Sequence, residues 1–197
     1  MHRYLDTPLR RIVALVALLN LGYFGIEFAV ALKIGSVSLF ADSVDFLEDA
    51  SVNLLILLAL AWSLRSRARV GMALAFILLA PAIATFWTAY QSFIDPVPPQ
   101  PFLLTVTGLG ALAVNLCCAY MLAAFRHASG SLTKAAFLSA RNDAFANIAI
   151  IGAGIVTAYA WHSAWPDLIV GVGIAVMNID AAREVWEASR EEHRAAA

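Results

Sequence analysis

Long apolar runs separated by short polar breaks dominate this chain, and they leave few folds open to it. A bilayer crossing takes ~20 mostly apolar residues, and six segments qualify, at about residues 12–32, 38–64, 70–94, 102–125, 135–161 and 168–186. Inside lipid every backbone N–H and C=O must find its partner within the protein, which a helix achieves segment by segment. The 197 residues are 61% hydrophobic, well above the ~45–50% apolar content of a soluble domain, and mean hydropathy is +0.77. The chain therefore reads as an all-α integral membrane protein. Its first apolar run has the outline of a signal peptide, but it continues to about Leu32 without a small-residue cleavage site and is expected to stay as a span.

Basic residues set the expected orientation, because Lys and Arg collect in cytoplasmic loops. Arg3, Arg10 and Arg11 precede the first span, Arg65, Arg67 and Arg69 separate the second from the third, and Arg126 and Lys134 separate the fourth from the fifth. Arg183, Arg190 and Arg194 end the chain. With six spans all of these fall on one side, opposite Lys33, Asp95 and Asp167, so both termini are expected in the cytoplasm. Residues 1–186 then form a single transmembrane domain and 187–197 a short polar tail, with no soluble domain. Pro81 predicts a kink in the third span, and the proline-dense stretch Asp95–Pro101 predicts a break after it. Cys117 and Cys118 are neighbours in an apolar run, where they read as small packing residues rather than a disulfide.

Against that apolar background the second span is out of place, for it carries Asp42, Asp45, Glu48 and Asp49. Ionisable groups within a span are expensive and mark ion pathways. Residues four apart share a helix face, so Asp45, Asp49 and Asn53 form a ladder of oxygen donors, with Asp42 on its edge. In the fifth span Ser139, Asp143 and Asn147 repeat the spacing. Two antiparallel helices can bring these ladders together at mid-membrane. Crowded carboxylates there either take up protons or hold a cation that offsets their charge. Oxygen donors suit harder cations, while imidazole or thiolate would favour zinc; His2, His127, His162 and His193 all fall in loops or tails.

Blander readings compete. Protonated aspartates can act as interhelical glue, Asn53 and Asn147 can serve as hydrogen-bond donors between helices, and Ser139 can bond its own helix. Glu48 can be a partner to neighbouring helices, and Arg141 can snorkel to the interface or pair with an acid. Asn20, Glu27 and Asn115 are expected to face the bundle interior.

The stretch from Ser36 to Asp49, with Ser36, Ala41-Asp42, Asp45 and Asp49, resembles the second-span pattern of the cation diffusion facilitator family of divalent-metal/proton antiporters. Asn20, Glu27, Asn115 and Trp165-Pro166-Asp167 also look like family features, and the likeness covers nearly the whole chain. It implies a tetrahedral transport site between spans two and five, exposed alternately to either side. In that site Asp45 and Asp49 match the second-span pair and Asp143 the fifth-span aspartate. Ser139 stands where the family usually has His or Asp, so either the three carboxylates and water suffice or Ser139 or Asn147 completes the shell. Ala140-Arg141-Asn142-Asp143 looks like manganese-type members without their acidic partner, which leaves Zn²⁺/Cd²⁺ and Mn²⁺/Fe²⁺/Co²⁺ both open.

The resemblance implies divalent metal and protons as transported species, the metal as cargo rather than cofactor, and a multi-pass place in a bacterial inner membrane. It also implies a homodimer, although most members dimerise through a cytosolic ferredoxin-like domain that is not expected here. No nucleic-acid partner is expected. Two rival classes are a metal-dependent lipid phosphoalcohol transferase, disfavoured because Asp42 is followed by Ser43 without the Asp-Gly…Ala-Arg arrangement, and a non-transporting metal-binding subunit.

Overall fold

A computed structural model describes residues 6–59, 83–123 and 131–177, and all regular structure among them is helical. Helix α1 runs Asp6–Ile34, α2 Val37–Ala59, α3 over residues 83–94, α4 Pro101–Ala123, α5 Ser131–Tyr159 and α6 Trp165–Met177. Arg3, Arg65, Arg67, Arg69, Arg126, Arg183, Arg190 and Arg194, on which the orientation rests, lie outside the described residues, as do Pro81 and the tail 187–197. The segments Pro8–Ile34 and Pro101–Ala123 are long and apolar enough to cross a membrane on that ground alone.

Helices α1 and α2 form one antiparallel pair, α4 and α5 another, and contacts of α1 with α4 and of α2 with α5 close the four into a bundle. Small residues let the second pair approach closely. A Cβ at Gly108 would sit 3.1 Å from the Ile150 side chain, and one at Gly154 would run into the Thr105 hydroxyl.

Polarity in this bundle is inverted relative to a soluble protein. Leu18, Ile26, Leu32, Leu109, Leu116, Tyr120, Phe145 and Ile148 are exposed, whereas Asn20, Glu27, Asp42, Asn53, Asn115 and Asn147 are almost fully buried. Water would reward the opposite arrangement; lipid favours this one, since only the interior offers partners to polar groups.

The α1–α2 connection is short because of one glycine. Gly35 takes φ +66°, a left-handed conformation that side chains resist, and the Ser36 N–H then returns to the Ala31 carbonyl at 3.1 Å. This is the closing bond of a Schellman turn. Gly35→Ala is expected to destabilise the protein by about 1 kcal/mol, read as a lower melting temperature in detergent.

Ser36 next caps α2, its hydroxyl accepting the Leu39 N–H at 3.1 Å. The acid that completes this cap comes from far along the chain. Asp167, buried near the start of α6, accepts the Val37 N–H and the Ser36 hydroxyl at 2.7 Å each, the Ser38 hydroxyl at 2.5 Å and the Ser38 N–H at 3.3 Å. A carboxylate at a helix N-terminus also meets the positive end of its dipole. Around this junction Ala89 of α3 and Leu168 of α6 pack on Val37, and Phe93 meets Trp165 edge-on with centroids 5.8 Å apart. The proline stretch ends α3 and supplies Pro101 at the first turn of α4, where its missing N–H is harmless.

Candidate metal centre

The start of α2 fixes the depth of its acids. At ~1.5 Å per residue, Asp45 and Asp49 lie about 12 and 18 Å along the axis from Val37, on either side of the midpoint of α2. Two contacts then set the direction of α5. Asp42 meets Asn147, while Asp49 meets Asp143, so the helices run oppositely and their polar stripes face each other.

Asp49 is buried, and the Asp143 carboxyl lies within hydrogen-bonding reach of it. Asp45 and Asp143 are only partly buried and face each other electrostatically across the helix pair. Glu48, 9% exposed, adds its field to both Asp49 and Asp143. A carboxylate cannot donate to a carboxylate, so this crowding in a low-dielectric interior is stable only with protons or a cation among the oxygens. Among the described residues no three His, Cys, Asp or Glu side chains stand in ligand geometry around one point; the carboxyls meet as pairs.

The remaining candidates are engaged differently. Asn147 is fully buried, accepts from the Asn115 amide at 2.9 Å and donates to Asp42 at 2.5 Å, so both ends of its side chain are occupied. Asn53 turns its amide nitrogen back to the Asp49 carbonyl of its own helix at 2.7 Å, and its oxygen has no hydrogen-bond partner among the described residues. Ser139 lies on α5, but its side chain is outside the described residues. Arg141 is exposed and reaches Asn142 at 3.3 Å.

Periodicity on single helices did not reveal the cross-helix pairings. Asp42, on the edge of the α2 stripe, is wholly buried and faces Glu27 of α1, likewise wholly buried. Asn20 on α1 and Cys118 on α4 meet nearby at 3.9 Å, and Asp49 and Asp143 are close enough to act on the thiol. The available signal was that every span of the bundle carries at least one amide or acid in an otherwise apolar run.

A profile of the cation efflux transmembrane domain matches residues 13–191. The cation-efflux pump FieF of Salmonella typhi is 30% identical over 158 residues, which cover 73% of this chain and 52% of that protein. The FieF proteins of Salmonella arizonae and Salmonella newport are 28% identical over 160 residues with the same coverage. The chain thus spans about half the length of the curated relatives it matches. The matched family is one of transporters, so the phosphoalcohol transferase reading is set aside. On a profile match that runs through most of its length, the chain belongs to the cation efflux, or cation diffusion facilitator, family of membrane proteins.

Proposed function

We propose that this protein exports a divalent transition metal in exchange for protons, with Asp45, Asp49 and Asp143 as the metal-binding carboxylates. The observation that carries this reading is the approach of the Asp49 and Asp143 carboxyls to hydrogen-bonding reach, with Asp45 in the field of Asp143, between two antiparallel and largely apolar helices. The reading requires these carboxylates to converge on a common ion in the loaded carrier, with Ser139, one turn before Asp143 in sequence, as the fourth donor or the holder of a water. Asn147 is left out of the set because Asn115 occupies its oxygen.

In the empty carrier, protons relieve the repulsion among the carboxylates. An arriving divalent cation offsets the same charges and expels them. Exchange follows because metal and protons compete for one set of oxygens, and alternating exposure of the site to the two sides converts competition into transport. The reading takes six spans, both termini cytoplasmic and a place in a bacterial inner membrane. It draws on the efflux activity in the names of the FieF relatives. Carboxylate oxygens as the main donors favour Mn²⁺, Fe²⁺ or Co²⁺ within the set that includes Zn²⁺ and Cd²⁺.

Proteoliposomes that enclose a fluorescent metal indicator test the exchange. An acidic lumen and neutral bath are expected to speed metal entry several-fold over equal pH, and collapsing the gradient with an ionophore should remove the gain. Metal entry indifferent to the gradient would overturn antiport.

A further inference from the structure

Glu27 on α1 and Asp42 on α2 are buried to the last atom, and neither takes part in the proposed metal set. Among the described residues, both oxygens of Glu27 and Oδ1 of Asp42 lack any hydrogen-bond donor, yet the two carboxyls lie within hydrogen-bonding reach of each other. The phenol of Tyr23, close by on α1, is spent on the Thr107 carbonyl at 2.6 Å. Asn147 supplies the pair with one donor, to Asp42 Oδ2, and is itself held by Asn115. Among the described residues, the charged groups that act on the pair are acidic: Asp45 and Asp49 on α2 and Asp143 on α5; Asn115 represents α4.

Two facing carboxylates with no donor between them would each forfeit several kcal/mol of hydration. Oxygens already at hydrogen-bonding separation leave room for one kind of ligand. We infer that Glu27 and Asp42 share a proton, forming a proton-binding site beside the metal centre that gives up its proton when metal arrives.

The shared proton supplies the missing donor, turning one group into a carboxylic acid that bonds the other. Asp42 lies three residues before Asp45 on the same helix, and Asn147 lies four residues after Asp143, so the pair borders the metal site on both helices. A divalent charge placed on Asp45, Asp49 and Asp143 offsets the field that keeps the proton in place. The proton then leaves for solvent and both carboxyls remain ionised near the metal. This step rests on the metal reading; the existence of the shared proton does not.

The test uses the purified full chain. Without metal, infrared spectra in H₂O and D₂O should show protonated-carboxyl absorption that shifts with deuterium and that loses one component in Glu27→Gln and in Asp42→Asn. In weak buffer with a pH dye, adding Mn²⁺ or Zn²⁺ to the wild type should release one more proton per bound metal than in Glu27→Gln. Glu27→Asp, which keeps a carboxyl, should restore that proton. A band unchanged in both variants overturns the shared proton, and equal proton release from wild type and a metal-binding Glu27→Gln overturns its coupling to metal. If the wild type binds no metal, the metal reading fails while the infrared result still decides the pair.

Discussion

Asp49→Asn is expected to reduce metal flux in proteoliposomes to the protein-free background while the protein still folds and inserts. The substitution keeps the shape of a buried side chain and removes the charge that meets Asp143. In the empty protein it relieves repulsion, so the metal-free variant should melt no lower than wild type. Added metal separates the two proteins. A ligand that binds only the folded state stabilises it by about 2.7 kcal/mol at a hundred times its dissociation constant, so wild type should melt higher with Mn²⁺ or Zn²⁺ and Asp49→Asn should not. Flux near wild type, or an undiminished metal-induced rise, would remove Asp49 from the site. Loss of flux with a collapsed melting curve would show a folding defect instead, and Asp143→Asn then serves as the second probe from the opposite helix.

The second large effect lies at the α2–α6 junction. Asp167→Ala leaves the Val37 and Ser38 N–H groups and the Ser36 and Ser38 hydroxyls without their buried acceptor. At about 1 kcal/mol for each of the four orphaned donors, roughly 4 kcal/mol of stability should go. Asp167→Asn should fall between, because its amide brings one accepting oxygen and a nitrogen facing donors. An independent route reaches the same contact. A Cβ at Gly171 would lie 2.7 Å from the backbone of Val37 and Ser38, a clash that helices relieve only by moving apart, at about 1–3 kcal/mol. Gly171→Ala and Asp167→Ala act on one interface, so their effects should be less than additive. Melting in detergent measures all three, and an unperturbed Asp167→Ala would show that the junction contributes nothing to stability.

Much of the architecture was legible because lipid imposes a single rule on apolar runs. The α1–α2 break at Gly35 and the α3–α4 break at Asp95–Pro101 follow from local backbone chemistry and fall where the sequence put them. The convergence of Asp49 and Asp143 was legible as a match of two spacings. What stayed hidden depended on partners remote in the chain. Nothing in Ser36 announces that its cap is completed by Asp167, 131 residues later. Asn147 shares a stripe with Asp143, which made it a ligand candidate, but its oxygen accepts from Asn115 on another helix and its nitrogen donates to Asp42. Asn53 likewise continues the α2 ladder by position while its nitrogen bonds its own backbone.

The acid content of α2 also bears on how the chain enters the membrane. An aspartate near the centre of a nascent span carries a penalty of about 2.5–3.5 kcal/mol on insertion scales, and Asp42, Asp45 and Asp49 together exceed what the leucines around them return. This segment is therefore a poor independent substrate for the insertion machinery. The tight reversal at Gly35 and Ser36 provides the remedy, because it delivers α1 and α2 as one hairpin whose acids meet protein before they meet lipid. Lengthening that turn should expose the nascent segment on its own and lower the yield of inserted protein before any step of transport is reached.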